Sequence, residues 1–94
     1  MQLTDYLDAG IKKAGSLTAL GFKLGLSQPR MSKVKAKVEH LPLDAAIKLA
    51  DYIEADRIAV ISANELATEK KEEKRAFWRA LLAPNQSYIR HMMN

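Results

Sequence analysis

Ser16-Leu17-Thr18-Ala19-Leu20-Gly21-Phe22-Lys23-Leu24-Gly25-Leu26-Ser27-Gln28-Pro29-Arg30-Met31-Ser32-Lys33-Val34 is the stretch that decides the fold of this chain. It predicts two short amphipathic helices that meet at a glycine. Ser16 offers a hydroxyl to cap a helix over residues 17–24, and Gly25 stands where the chain must turn steeply, a place that favours a residue without Cβ. Leu26 plugs the gap between the two helices. Ser27 is a good cap for the next helix, and Pro29 falls in its first turn, where a missing N–H costs little because the early amides have no intrahelical acceptor. Met31 and Val34, three apart, form the inward stripe of that helix. Pro29, Ser32 and Lys33 lie on the opposite side, with Gln28 and Arg30 at its edges.

The same stretch lies inside a block of one charge sign. Residues 12–37 carry seven Lys or Arg and no Asp or Glu, whereas residues 38–94 carry eight against nine. The net charge of +4 is modest, so its distribution carries the meaning. One part of a small domain holds the positive potential that suits a phosphate backbone.

Upstream, Leu7, Ile11 and Ala14 are spaced four and three apart, with Asp5 and Asp8 near the start of the run and Lys12 and Lys13 near its end. This predicts a helix over residues 4–14 with charges matched to its dipole, closed by Gly15. Downstream, the period fades over residues 36–41. Pro42 and Asp44 open a fourth helix whose apolar side is Leu43, Ile47 and Ala50, joined by Ile53 or Ala46. A fifth begins near Asp56 and carries Ile58, Ile61 and Leu66. The charged run Glu69-Lys70-Lys71-Glu72-Glu73-Lys74-Arg75 follows. In one unbroken helix Glu65/Glu69, Glu69/Glu73, Lys70/Lys74 and Lys71/Arg75 would be like-charge pairs four apart, so a break is expected at residues 68–72. A last helix holds residues 76–82, pairing Phe77 with Leu81 and Trp78 with Leu82, and stops before Pro84. Residues 84–94 lack a period and are expected to fray.

A chain of 94 residues bounds one domain with a single small core. Its 48% hydrophobic and 28% charged residues, with four Gly and three Pro, are those of a folded helical protein and not of a disordered tail. The absence of cysteine excludes disulfides, thiolate metal sites and Cys nucleophiles. No apolar run is long enough for a membrane span and no leader is indicated, which gives the expectation of a soluble, cytoplasmic protein. The loops and helices that carry phosphate, zinc-protease or serine-hydrolase chemistry are missing, so an enzyme is not expected. Nor is a cofactor or a small-molecule ligand. His40 and His91 stand alone, without zinc spacing, so no metal site is expected.

The order Leu20-Gly21, Leu24-Gly25-Leu26-Ser27-Gln28, Met31-Ser32, Val34, then Leu41-Pro42 and a covering helix, resembles the Cro/cI-type helix-turn-helix of phage repressors. The likeness spans residues 5–56. The charged run leading into Phe77-Trp78 is similar to the C-terminal extension of small regulators of filamentous phages and prophages. The resemblance implies an all-α fold of five to six helices: a lambda-repressor-like helix-turn-helix domain over residues 1–67, and a C-terminal helical extension over 68–94 with a tail frayed from 84. It also implies a homodimer on paired half-sites. Two positions depart from the family pattern. Gly21 replaces a small Ala, which is harmless if the constraint is size. Ala36-Lys37 stands where Gly or Asn-Gly is common, so either Lys37 adopts a left-handed cap or the helix runs on another turn.

With the third helix in the major groove, base reading falls to Gln28, Pro29, Arg30, Ser32 and Lys33. Gln28 suits adenine, Pro29 a thymine methyl, and Arg30 and Lys33 guanine. Backbone contact suits Arg30 and Lys33 equally well, and Ser32 reaches either a base or a phosphate. Phosphate contact falls to Lys23, Lys35 and Lys37 and to the helix starts at Ser16 and Ser27. Lys12 and Lys13 read as helix-end charges. Phe77, Trp78, Leu81 and Leu82 form either intrachain core or a dimerisation face, and the sole Trp so far from the first core points to the dimer. The expected activity is transcriptional repression of a phage or prophage promoter, by a dimer that occupies its operator. The alternatives are an excisionase or DNA-bending factor of a prophage, and a protein-interaction module such as an antitoxin, gripping its partner through residues 66–94.

Overall fold

Most helix ends in the chain follow from a cap that the sequence supplies. The computed structural model describes residues 1–85. These form six helices and no strand: α1 (Leu3–Ala14), α2 (Leu17–Leu24), α3 (Gln28–Lys35), α4 (Leu43–Tyr52), α5 (Arg57–Thr68) and α6 (Glu72–Asn85). The Gln2 amide donates to the Asp5 carboxylate at 2.7 Å and fixes the first turn of α1. Ser16 Oγ accepts from the Ala19 amide at 3.0 Å, and the Asp56 carboxylate accepts from the Ala59 amide at 2.9 Å, so α2 and α5 both start on side-chain caps.

Three helices end in the left-handed turn that returns two amides to the last carbonyls. At Gly25 (φ 76°) the Leu26 amide reaches the Gly21 carbonyl at 2.8 Å. The same pattern recurs at two residues that are not glycine, Lys37 (φ 65°) and Glu54 (φ 58°). There Val38 bonds the Lys33 carbonyl at 2.9 Å and Ala55 bonds the Ala50 carbonyl at 2.8 Å. Helix α3 therefore stops at Lys35, and Lys37 takes the left-handed cap instead of extending the helix. Such a backbone costs a residue with a Cβ roughly 1–2 kcal/mol, which the two returned hydrogen bonds offset.

One core joins α1 to α5, with α4 at its centre. Leu3, Tyr6 and Leu7 of α1 meet Leu20 and Leu24 of α2, Met31 and Val34 of α3, Leu41, Leu49, Ile53 and Val60. Leu82 of α6 reaches the same core and is 8% exposed. The radius of gyration, 12.3 Å, matches the roughly 12 Å expected of one domain this size.

Two helices differ from their expected faces and a third from its expected bounds. Helix α4 buries Ala45, Ala46, Leu49 and Ala50, while Leu43 is exposed and Ile47 half-buried. Helix α5 buries Ala59, Val60, Ser62, Ala63 and Asn64, while Ile58 is exposed and Ile61 and Leu66 are half-buried. The reason is common to both. A helix packed between neighbours approaches them through its small side chains, and its larger apolar residues are left at the rim. Helix α6 starts at Glu72 and continues past Pro84 to Asn85. Pro84 has no amide to donate to the carbonyl of Ala80, one turn back in α6.

The break after α5 falls at residues 69–71, inside the expected interval. Glu69 leaves the helix, and its carboxylate accepts from the Lys71 and Lys70 amides at 3.3 and 3.0 Å. Those two bonds hold its pKa below the usual carboxylate range. Arg75 closes the corner by donating to the carbonyls of Leu66 and Glu69, both at 2.8 Å.

Candidate nucleic-acid interface

Helix α3 is fastened by two side chains and otherwise faces water. Met31 and Val34 are 0% exposed, whereas Gln28, Pro29, Arg30, Ser32 and Lys33 are all exposed. All five residues expected to read bases are thus exposed. Packing against α2 is unusually close there. A Cβ added to Gly21 would lie 2.7 Å from Met31 Cγ and 2.9 Å from the Leu26 carbonyl oxygen. Even alanine is too large at this crossing, so Gly21 sets how deep α3 sits and is more than a tolerated variation.

The cap positions behave differently at the two helix starts. Ser16 Oγ is committed to Ala19. Ser27 occupies the extended cap position of α3, but its hydroxyl makes no cap bond, contrary to expectation. A cap side chain bonds the second or third amide of its helix, and the second here is Pro29, which has none. Gln28 Nε2 instead donates to Ser32 Oγ at 3.3 Å, one turn along.

The expected phosphate-contacting lysines fall into separate groups. Lys35 pairs with Asp8 of α1, and Lys37 Nζ donates to Gln2 Oε1 at 3.1 Å. Lys23 lies on another side, 5.9 Å from the ring centre of Tyr52. Lys13 shares that ring at 4.5 Å and donates to the Tyr52 carbonyl at 2.6 Å, which caps the end of α4. Its role is tertiary as well as a helix-end charge.

Two residues that sequence reasoning passed over hold the loop after α3. Asn64, 1% exposed, donates to the Leu41 carbonyl at 2.8 Å and accepts from the Leu41 amide at 2.7 Å. A buried amide side chain that satisfies both groups of one residue pins the loop to α5. Glu39 faces Arg30 Nε at 3.6 Å and Lys33 Nζ at 3.7 Å. A lone Asn inside an apolar run was the sequence signal for the first, and the first acid after a basic block for the second. His40 also holds the loop, with Nδ1 3.2 Å from Thr68 Oγ1. Among the described residues no group of His, Cys, Asp or Glu is arranged to hold a metal ion. His91 lies outside them.

The aromatic end of α6 is divided. Leu82 is buried, Trp78 half-buried, and Phe77 and Leu81 are 57% and 37% exposed. Phe77 meets Trp78 edge to face at 5.0 Å. Leu82 therefore serves the chain's own core, which leaves Phe77 and Leu81 outward. Among the described residues no helix is long and apolar enough to cross a membrane. Comparison of the chain with protein families, curated proteins and solved structures returns no match.

Proposed function

We propose that the chain is a sequence-specific DNA-binding repressor of phage or prophage type, with α2 and α3 acting as a lambda-repressor-like helix-turn-helix. One observation carries the reading. A helix of eight residues buries only Met31 and Val34 and offers Gln28, Pro29, Arg30, Ser32 and Lys33 to the surface, within a chain segment free of acidic residues. A helix that seats its apolar side in the core and leaves a polar, cationic side uncovered has the shape and donors needed in a major groove. Lys23, Lys35 and Lys37 supply backbone contacts, the partners of Lys35 and Lys37 (Asp8 and Gln2) being exposed and readily exchanged for phosphate.

Repression follows from occupancy, because a dimer that reads two half-sites about 34 Å apart covers a promoter without needing a ligand domain. Phe77 and Leu81 form the proposed dimer face, supported at its edge by Trp78. Selection of bound duplexes from a random-sequence library tests the reading. An enriched two-fold motif is expected, and Gln28→Ala and Lys33→Ala should each lower affinity for it by about 10- to 100-fold while changing binding to random DNA far less. Recovery of no motif, or equal losses on both DNAs, would remove α3 from base reading. Phe77→Glu should shift the protein to monomer in sedimentation.

A further inference from the structure

The most acute electrostatic feature of the α3 surface is a carboxylate set among its own cations. Glu39 places one oxygen 3.6 Å from Arg30 Nε and the other 3.7 Å from Lys33 Nζ, so a single acid is shared by two neighbouring bases of the reading helix. The backbone fixes this arrangement. Because Lys37 turns left-handed, the amides of Val38 and Glu39 both fold back onto the Lys33 carbonyl, at 2.9 and 3.3 Å, and carry the Glu39 side chain alongside α3.

We infer that Glu39 is a positioning residue that raises sequence discrimination, acting through Arg30 and Lys33. The inference rests on the DNA reading given above. A carboxylate accepts hydrogen bonds and donates none, so it screens from phosphate the cations it touches. Phosphates are present on every sequence, and Glu39 therefore weakens the contact that all DNA offers. A guanine edge presents two aligned acceptors to Arg30 or Lys33, and a cytosine amine can donate to Glu39 itself. Base contact survives the acid; plain backbone contact loses by it.

The magnitude follows from counterion release. Two cations and one acid count as one net charge, and Glu39→Gln restores the second. One added phosphate contact steepens the dependence of log affinity on log salt by about 0.9, which near 0.1 M salt is roughly an eightfold gain that vanishes toward 1 M. The test uses the full chain and a mixed-sequence duplex of about 30 bp, with binding followed by fluorescence anisotropy across that salt range. Glu73→Gln, an exposed acid on α6, is the control for net charge. Glu39→Gln should bind roughly eightfold more tightly with a slope steeper by about 0.9, Glu73→Gln should change affinity less than about twofold, and Glu39→Gln should gain nothing when Arg30 and Lys33 are both alanine.

Equal gains for the two variants would overturn the inference, since net charge alone would explain them. So would a gain that persists without Arg30 and Lys33, or no gain at all. If none of the proteins binds duplex DNA at low salt, the DNA reading itself falls, and this inference with it.

Discussion

Asn64→Ala tests the tertiary argument most directly. Asn64 and Leu41 are both essentially buried, and the side chain satisfies both backbone groups of Leu41 at 2.7 and 2.8 Å. Truncation orphans an N–H and a carbonyl at a site closed to solvent, at about 1–3 kcal/mol each, so a loss near 3 kcal/mol is expected after partial relaxation. That is a large share of the 5–15 kcal/mol typical of a small domain. With a urea slope of about 1.5 kcal/mol per M the midpoint should fall by about 2 M, and the melting temperature by roughly 10–20 °C. Asn64→Leu restores the lost volume but not the hydrogen bonds, so it should remain within about 1 kcal/mol of Asn64→Ala. Amide exchange at Leu41 should be slow in the parent protein and faster in both variants. A urea midpoint for Asn64→Leu equal to that of the parent would refute the reasoning, since it would mean that the Leu41 groups find partners without Asn64.

Further outcomes follow from the turns, the α2–α3 crossing and the shifted pKa values. Lys37→Gly should stabilise the fold by up to about 1 kcal/mol relative to Lys37→Ala, because glycine relieves the left-handed backbone, while both variants weaken DNA binding and flatten its salt dependence by about one unit. Gly21→Ala should destabilise by about 1–3 kcal/mol in thermal melts, the approach to Leu26 and Met31 outweighing a helix-propensity gain of about 1 kcal/mol. Tyr6 is raised above its ordinary pKa by burial and then by Asp5 and Asp56, and its hydroxyl has no partner among the described residues. A raised folded value gives stability that is whole below about pH 10 and lost as pH climbs through it, so Tyr6→Phe, which also removes a buried hydroxyl without a partner, should be at least as stable as the parent at neutral pH and hold out longer in alkali. Asp51 is lowered by its hydrogen bonds to Arg57, and Glu69 by the Lys71 and Lys70 amides. Lowered folded values give stability present above about pH 4 and lost as pH falls through them, so these two groups should lower urea midpoints on the acid side, and Asp51→Asn should blunt that drop.

Much of the helix order was legible because it depends on residues close in sequence. Ser16, Gly25 and Asp56 act within four residues of themselves, and the like-charge pairs four apart about Glu69 each mildly disfavour one continuous helix. The outward set on α3 was legible for a related reason: with Met31 and Val34 inward, the period of the helix leaves Gln28, Arg30, Ser32 and Lys33 no other side. The faces of α4 and α5 were not. Leu43 and Ile58 are the more apolar residues by size, yet Ala45, Ala46, Ala59 and Ala63 are buried, since helix separation is set by neighbours that the sequence pattern does not name.

The sequence by itself determined a set of local events: the starts of α2 and α5, the turn at Gly25, the break after α5, which surface α3 offers, and that its neighbourhood is basic. Each is governed by a hydrogen bond or a charge pair spanning a few residues, and nothing distant can reverse it cheaply. Only the tertiary structure decided how that basic segment is shared out. Lys35 turns to Asp8, Lys37 to Gln2, Lys13 and Lys23 to Tyr52, and Arg30 and Lys33 to Glu39. All of these partners stand outside residues 12–37, and Gln2 and Tyr52 are far along the chain from the lysines they meet. The block counts its charges from the sequence, whereas which of them remain available to another molecule depends on Coulomb partners that meet only when the helices pack.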